Sequence, residues 1–237
     1  MSLPVAILCG GLGTRLYPLT QQTPKALIEI LDEPFLAHQL RLLKSSGIEK
    51  VVLLVGRFGE SLRDYAGDGA RFGLKVEYSF DGPVLLGTGG AVRQALPLLG
   101  DEFFVLYGDS YLPCDYRAVA SSFHAAGKQA LMTVFRNEGK WDTSNVEISA
   151  DGQSIRAYDK KNQTPRMHYI DYGLGAFRAS AFDRVPPATF FDLAELYQQV
   201  LAEGQLSAHV IEERFYEVGS FKGIEELGTF LAGKKER

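Results

Sequence analysis

The chain has 237 residues, 46% of them apolar and 23% charged, with a net charge of −4. That balance belongs to a folded globular chain: it excludes dominant disorder, and its acidity excludes an overall basic field for gripping nucleic acid. Cys9 and Cys114 are too few for a disulfide scaffold and have no Cys/His partners at zinc spacing, and no run reaches the roughly 18 apolar residues of a membrane span.

The start lacks a basic leader region, and its apolar run ends in glycines, so it reads as a first strand at 5–9 rather than a signal peptide. A reduced, cytoplasmic protein is expected. Pro34 fits the first position of a helix over 34–46, with Phe35, Leu36, Leu40 and Leu43 as its apolar stripe and Gly47 as its stop. A buried strand at 51–55, a weaker helix at 60–65 and a strand at 74–78 follow. Next come a helix at 88–96 capped by Thr88 and a strand at 103–107. Asp115 caps a helix carrying Tyr116, Val119 and Phe123 and ending at Gly127. This alternation predicts an α/β fold, a doubly wound, mostly parallel sheet with a Rossmann-like core.

The second half is less regular. Strands are expected at 130–135, 145–149, 154–158, 168–177 and 214–216, with helices over 192–201 and over 221–231 behind Ser220. The last residues, 233–237, read as a frayed tail. No repeat or linker divides the chain. A single domain over 1–237 is expected.

The first strand runs into Gly10-Gly11-Leu12-Gly13-Thr14-Arg15-Leu16. Such a loop lets backbone N–H groups approach phosphate oxygens, and Arg15 adds a planar cation. It has neither the GxGxxG spacing of a dinucleotide fold nor the GKS/GKT of a Walker loop. The stretch GGLGTRLYPLTQQTPKAL, with Lys25 near its end, resembles the signature of the sugar-phosphate nucleotidylyltransferases. Leu86-Gly87-Thr88-Gly89-Gly90-Ala91 resembles that family's second nucleotide loop, and Leu106-Tyr107-Gly108-Asp109 its strand-end metal motif. Tyr158-Asp159-Lys160 resembles its later acid–lysine pair, and Tyr216-Glu217-Val218-Gly219-Ser220 stands where it carries Asp-x-Gly-Thr or Asp-x-Gly-Ser. The likeness covers nearly the whole chain and implies a nucleotide-binding part over about 1–115 and a sugar-binding part over about 116–237. Its short form looks most like heptose-1-phosphate guanylyltransferases and muramate-1-phosphate uridylyltransferases.

The resemblance implies transfer of a nucleotidyl group from a nucleoside triphosphate to a sugar 1-phosphate, releasing pyrophosphate, with Mg²⁺ as cofactor. Arg15 and Lys25 are then catalytic, Arg15 meeting the leaving phosphates and Lys25 near the α-phosphate and the sugar phosphate. Leu8, Gly10, Gly11, Gly13, Thr14, Gly87, Thr88 and Gly89 hold the nucleotide, and Asp81 is chosen to read the base edge. Asn145, Lys160 (or its neighbour Lys161) and Gly173 meet the sugar phosphate, and Asp109 and Glu217 hold the metal, Glu217 replacing the usual aspartate. GTP with a heptose or mannose 1-phosphate is slightly favoured over UTP with an amino-sugar phosphate, and CTP stays open, as does homo-oligomerisation. A non-catalytic regulatory relative is the rival class, opposed by the presence of Arg15, Lys25, Asp109 and Glu217 together. A glycosyltransferase would want a DxD-type motif, which Gly108-Asp109-Ser110-Tyr111 matches poorly. Cys9 reads as a small core residue, and His38, His124, His168 and His209 are too scattered for a metal site.

Overall fold

The computed structural model describes residues 2–11 and 13–235; Met1, Leu12, Glu236 and Arg237 lie outside the described residues. β1 (Val5–Leu8) leads through two 3-10 turns, Thr14–Leu16 and Lys25–Leu27, to a ribbon of β2 (Glu29–Ile30) and β3 (Glu33–Pro34). Then follow α1 (Phe35–Ser45), β4 (Lys50–Val55), α2 (Gly59–Ala66), β5 (Lys75–Phe80), α3 (Gly87–Leu99) and β6 (Glu102–Tyr107). β7 (Ser110–Tyr111) and α4 (Tyr116–Ala126) lead to β8 (Ala130–Arg136), β9 (Val146–Ile148), β10 (Ile155–Tyr158) and β11 (Tyr169–Arg178). α5 (Leu193–Ala202), β12 (Leu206–Ile211), β13 (Tyr216–Glu217) and α6 (Phe221–Lys235) complete the order.

β5, β4, β1 and β6 form the parallel half of a nine-stranded mixed sheet. β1 lies in register between its neighbours, with Val5 opposite both Val51 and Phe104. Its residues are buried on both faces, as the unbroken apolar run Val5-Ala6-Ile7 requires. One face packs Leu36, Leu40, Leu62 and Val119 from α1, α2 and α4. The other packs Val92, Ala95, Leu196 and Val200 from α3 and α5. Helices therefore cover both faces, as the alternating sequence predicts. The second half extends the sheet: β11 runs antiparallel to β6 and β8.

Several expectations need correction. Pro34 closes the β2–β3 ribbon and stands one residue before α1, because its extended ψ of 137° is not helical. α3 runs past Pro97 to Leu99, where Gly100 ends it. β12 was not anticipated: its small and polar residues Ser207, Ala208 and His209 weaken the alternating pattern. Its place comes from parallel pairing with β8, from Leu206 opposite Ala130 to Ile211 opposite Phe135. The strand expected at 214–216 is instead Tyr216–Glu217, because the Arg214 guanidinium stacks on Trp141 at 3.4 Å and pairs with Glu226. α6 continues through Lys235, so the expected frayed tail is helical to that point, and its last two residues lie outside the described residues.

Candidate active site

Open parallel sheets bind ligands beyond the carboxyl ends of their strands, where the crossovers diverge to opposite faces. Here that place lies beside β1, between the crossovers through α1 and α3. The chain leaves β1 into Gly10 and Gly11, β4 into Gly56, β5 into Asp81 and β6 into Gly108. Main-chain bonds close the strand ends: Cys9 N donates to Leu54 O (2.8 Å) and Gly108 N to Leu8 O (3.1 Å). A Cβ on Gly108 would lie 2.5 Å from Leu8 O, so only glycine permits this approach. The resulting cleft has apolar walls from Leu8, Leu54, Leu85, Ala91 and Phe190, with Gly10, Gly11, Asp81, Gly87, Thr88, Lys25 and Asp109 also on its surface.

Asp81 turns one carboxylate oxygen to the Leu86 N–H at 3.2 Å. Burial raises its pKa, and the Leu86 hydrogen bond opposes that rise. Burial, with the Asp109 charge adding to it, pushes the Cys9 thiol up to about 12, which keeps it protonated at neutral pH. Lys25, presented by its 3-10 turn, pairs with Asp109 at 2.8 Å. This pair sits where the first cleft meets a second one, and Tyr107 and Asp109 line both.

The second cleft is polar. Arg15, Asp142, Asn145, Lys160, Asp171, Gly173 and Glu217 all line it. A register shift in the β8–β11 ladder between Asp171 and Gly175 lifts the strand there. Gly173 takes the left-handed φ of 99° that this bulge needs, and its N–H donates to Asp171 at 3.0 Å. Asp171 is almost fully buried and stands 3.8 Å from Lys160 Nζ. Lys160 also reaches the Tyr107 hydroxyl at 3.4 Å. Burial pulls the Lys160 pKa down, but Tyr107 and Asp171 outweigh it and hold the ammonium above its ordinary value. Asn145, buried, accepts from Asp171 N at 3.0 Å. Asn137, fully buried, ties the loop before it by donating to Asp142 O and Ser144 Oγ and accepting from Trp141 N.

The β7–β13 ribbon joins the two carboxylates assigned to metal. Glu217 stands opposite Ser110, and Val218 N donates to Asp109 O at 2.8 Å. Burial raises the Glu217 pKa, and the nearby Asp109 charge adds to that rise. Among the described residues its carboxylate has neither a hydrogen bond nor an ion pair. Arg15 Nη2 and Glu217 Oε2 crowd the same side of Gly219, at 3.2 and 2.7 Å from where its Cβ would lie. Among the described residues no group of three or more His, Cys, Asp or Glu residues is arranged to hold a metal ion. Two carboxylates together with ligand phosphates is thus the donor set on offer, which fits a hard cation such as Mg²⁺.

The structure gathers Leu8, Gly10, Gly11, Lys25, Asp81, Gly87, Thr88 and Asp109 at the first cleft. It gathers Arg15, Asn145, Lys160, Gly173, Glu217 and again Asp109 at the second. Lys161 is exposed and tied by its backbone to Asp159, so Lys160 is the lysine that lines the cleft. Gly13 and Thr14 line neither cleft: Gly13 makes a left-handed turn bonded to Thr20, and Thr14 is exposed. Thr88 does not cap α3, whose N-cap position belongs to Leu86. Its hydroxyl accepts from Leu193 N (2.8 Å) and donates to Asp192 (3.1 Å), the N-cap of α5, so it braces the start of that helix instead. Gly89 was expected to hold the nucleotide. Its N–H donates to Phe191 O at 2.8 Å, and its Cβ space is taken by Phe191, so it leaves room for protein. Sequence reasoning missed Phe190, Tyr107 and Asp171 as site residues. Asp171, two residues before Gly173, was within reach of a bulge argument; Phe190 carried no signal.

A family model described as nucleotidyl transferase matches residues 5–233. Over 213 residues the chain is 40% identical to D-glycero-alpha-D-manno-heptose 1-phosphate guanylyltransferase of Campylobacter jejuni, covering 90% of this chain and 93% of that one. It is 28% identical over 232 residues to N-acetylmuramate alpha-1-phosphate uridylyltransferase of Neisseria meningitidis, covering 96% and 97%. Other relatives are longer: the chain spans 55% of UTP–glucose-1-phosphate uridylyltransferase of Synechocystis, at 27% identity over 84% of this chain. Among solved structures, a putative glucose-1-phosphate thymidylyltransferase of Bacillus anthracis in complex with sucrose superposes with a TM-score of 0.82 at 20% identity, covering 97% of this chain and 95% of that one. HddC of Yersinia pseudotuberculosis complexed with GMP-PN gives 0.79 at 22%, covering 97% and 99%. These structural likenesses bear on the fold, whereas the family match and the 40% identity bear on descent. The chain belongs to the nucleotidyl transferase family.

Proposed function

We propose that the protein transfers a nucleotidyl group from a nucleoside triphosphate, GTP above the others, to a heptose- or mannose-type sugar 1-phosphate. The observation that carries this reading is the pair of clefts joined at Tyr107 and Asp109. One offers apolar walls and a glycine loop, the other hydrogen-bonding and charged groups for a hydroxyl-rich ligand. The similarity to the heptose 1-phosphate guanylyltransferase over 93% of its length supports the substrate pair. Asp81 supports guanine: with one oxygen held by Leu86 N, its carboxylate still accepts, and guanine's N1–H and N2–H₂ offer adjacent donors where uracil offers a single N–H.

A sugar-phosphate oxygen attacks the α-phosphorus, a new P–O bond forms, the bond to the bridging oxygen breaks, and pyrophosphate leaves with that electron pair. The nucleophile is already an anion, so positioning and charge stabilisation carry the rate. Lys25, at the junction of the clefts, stands to meet the α-phosphate and the incoming phosphate. Arg15 lines the polar cleft and not the first, so in place of meeting the leaving phosphates it joins Lys160 in drawing the sugar phosphate in from that side. Asp109 and Glu217 would hold Mg²⁺, which when bound neutralises phosphate charge. A matrix of GTP, UTP, CTP and ATP against several sugar 1-phosphates, read by pyrophosphate release, tests the reading. The largest signal is expected with GTP and a heptose or mannose 1-phosphate, and pyrophosphate release in no pairing would refute it.

A further inference from the structure

The segment 186–192 crosses from the sugar-side half of the chain onto the first cleft. Its backbone is fixed from several sides. Phe191 N donates to Leu86 O (2.8 Å), and Phe191 O accepts from Gly89 N (2.8 Å) and Gly90 N (3.1 Å). Thr88 and Asp192 then tie the start of α5. This anchoring buries no Phe190 ring. Phe190 stays 66% exposed while lining the cleft, and one ring edge rests on Gly87, 3.1 Å from where a Cβ would lie. Leu85, 37% exposed and lining the same cleft, rests on Gly56, its Cδ2 2.9 Å from the Gly56 Cβ position. Asp81 Oδ2 lies 3.6 Å from the Gly10 Cβ position. A solvent-facing aromatic ring next to an anchored stretch of backbone, a second apolar wall and an acceptor carboxylate therefore share one cleft, which continues through Gly11 to Lys25 and Asp109.

We propose that Phe190 is a nucleobase-stacking residue, forming with Leu85 an apolar clamp on the base whose edge meets Asp81. The inference rests on the nucleotidyl-transfer reading and adds a residue that neither glycine loop contains. A flat π-face in a cleft, with no ring partner among the described residues, suits a flat heterocycle, and stacking of a base on an aromatic side chain is sequence-tolerant. Phe190 thus supplies affinity, and Asp81 the choice of base. It touches neither phosphate nor sugar phosphate, so its loss is felt in nucleotide affinity and in KM for the triphosphate.

Calorimetry with two probes, GTP and inorganic tripolyphosphate, isolates this role. Phe190→Ala is expected to weaken GTP by about tenfold or more while leaving tripolyphosphate within twofold. Phe190→Trp restores GTP affinity, and Phe190→Leu, which keeps an apolar side chain without a π-face, does not. Equal losses for GTP and tripolyphosphate would show a structural role for Phe190, and unchanged GTP affinity in Phe190→Ala would show no role in binding; either overturns the inference while leaving nucleotidyl transfer intact. Wild-type protein that binds GTP no better than tripolyphosphate would instead remove the underlying reading, and the inference with it.

Discussion

The two clefts meet at Tyr107 and Asp109 yet are made of different material. The first is main chain and apolar wall: strand ends in register, glycines at close approaches, and backbone bonds such as Cys9 N to Leu54 O. The second is side chain: Lys160 between Tyr107 and Asp171, Asn145 on the backbone of Asp171, and Asn137 tying a loop. A cleft of the first kind is set by sheet topology and changes little with single side-chain substitutions. One of the second kind can be retuned residue by residue. That division suits a fold whose relatives share phosphate chemistry and differ in sugar.

The largest effects are expected where the two regions join. Lys25→Ala and Arg15→Ala should each lower turnover by about a hundredfold or more, with circular dichroism unchanged. Lys25 has Asp109 as its ion-pair partner, so its loss also leaves that carboxylate unpaired, whereas Arg15 has no ion-pair partner among the described residues. Turnover within threefold of wild type for both variants at saturating substrates would break the assignment of the junction as the reacting centre.

How much of this was legible in the sequence follows the same division. The parallel half could be read because strands buried on both faces are continuous apolar runs and helices repeat on one stripe, so β1, β4, β6 and α1 fell within a residue or two of expectation. β12 was not legible, since Ser207 and His209 interrupt its pattern and its pairing with β8 spans a long separation. For the site, Gly10, Lys25 and Asp109 were identified through a motif, because adjacent sequence there means adjacent space. Phe190 and Asp171 reach their clefts only through tertiary placement. Thr88 and Gly89 were placed in the right loop with different duties: they hold α5.

An effect of intermediate size is expected at the carboxylate pair. Glu217→Gln should raise the Mg²⁺ concentration for half-maximal rate and lower the maximal rate, because the charge is lost where no other hydrogen-bond or ion-pair partner among the described residues takes it. Asp109→Asn should do the same and also release Lys25 from its 2.8 Å pair. The double variant should be little worse than the poorer single, since both side chains serve one ion. Multiplying effects in a Mg²⁺ titration would assign them separate duties.

The smallest expected effects sharpen the contrast most, because they set two glycines of the same cleft region against each other. Gly11 lines the first cleft and, apart from its chain neighbours, has no heavy atom of the described residues within 4 Å of the place a Cβ would take. Gly89 has Phe191 Cδ1 at 2.7 Å and Leu193 N at 3.2 Å from that place. A side chain at 11 therefore enters ligand space, and one at 89 enters protein space. Gly11→Val should leave Tm nearly unchanged and weaken GTP binding in calorimetry. Gly89→Ala should overpack the contact between α3 and the start of α5, at about 1–3 kcal/mol, which for a chain of this size is a Tm loss on the order of 5 °C. Its GTP affinity should fall only so far as the shift of segment 186–192 carries Phe190 away from the base. Paired measurement of Tm and GTP affinity on both variants decides the matter. A large Tm loss with Gly11→Val, or GTP affinity lost at unchanged Tm with Gly89→Ala, would reverse the assignment of which glycine makes room for the ligand and which for the fold.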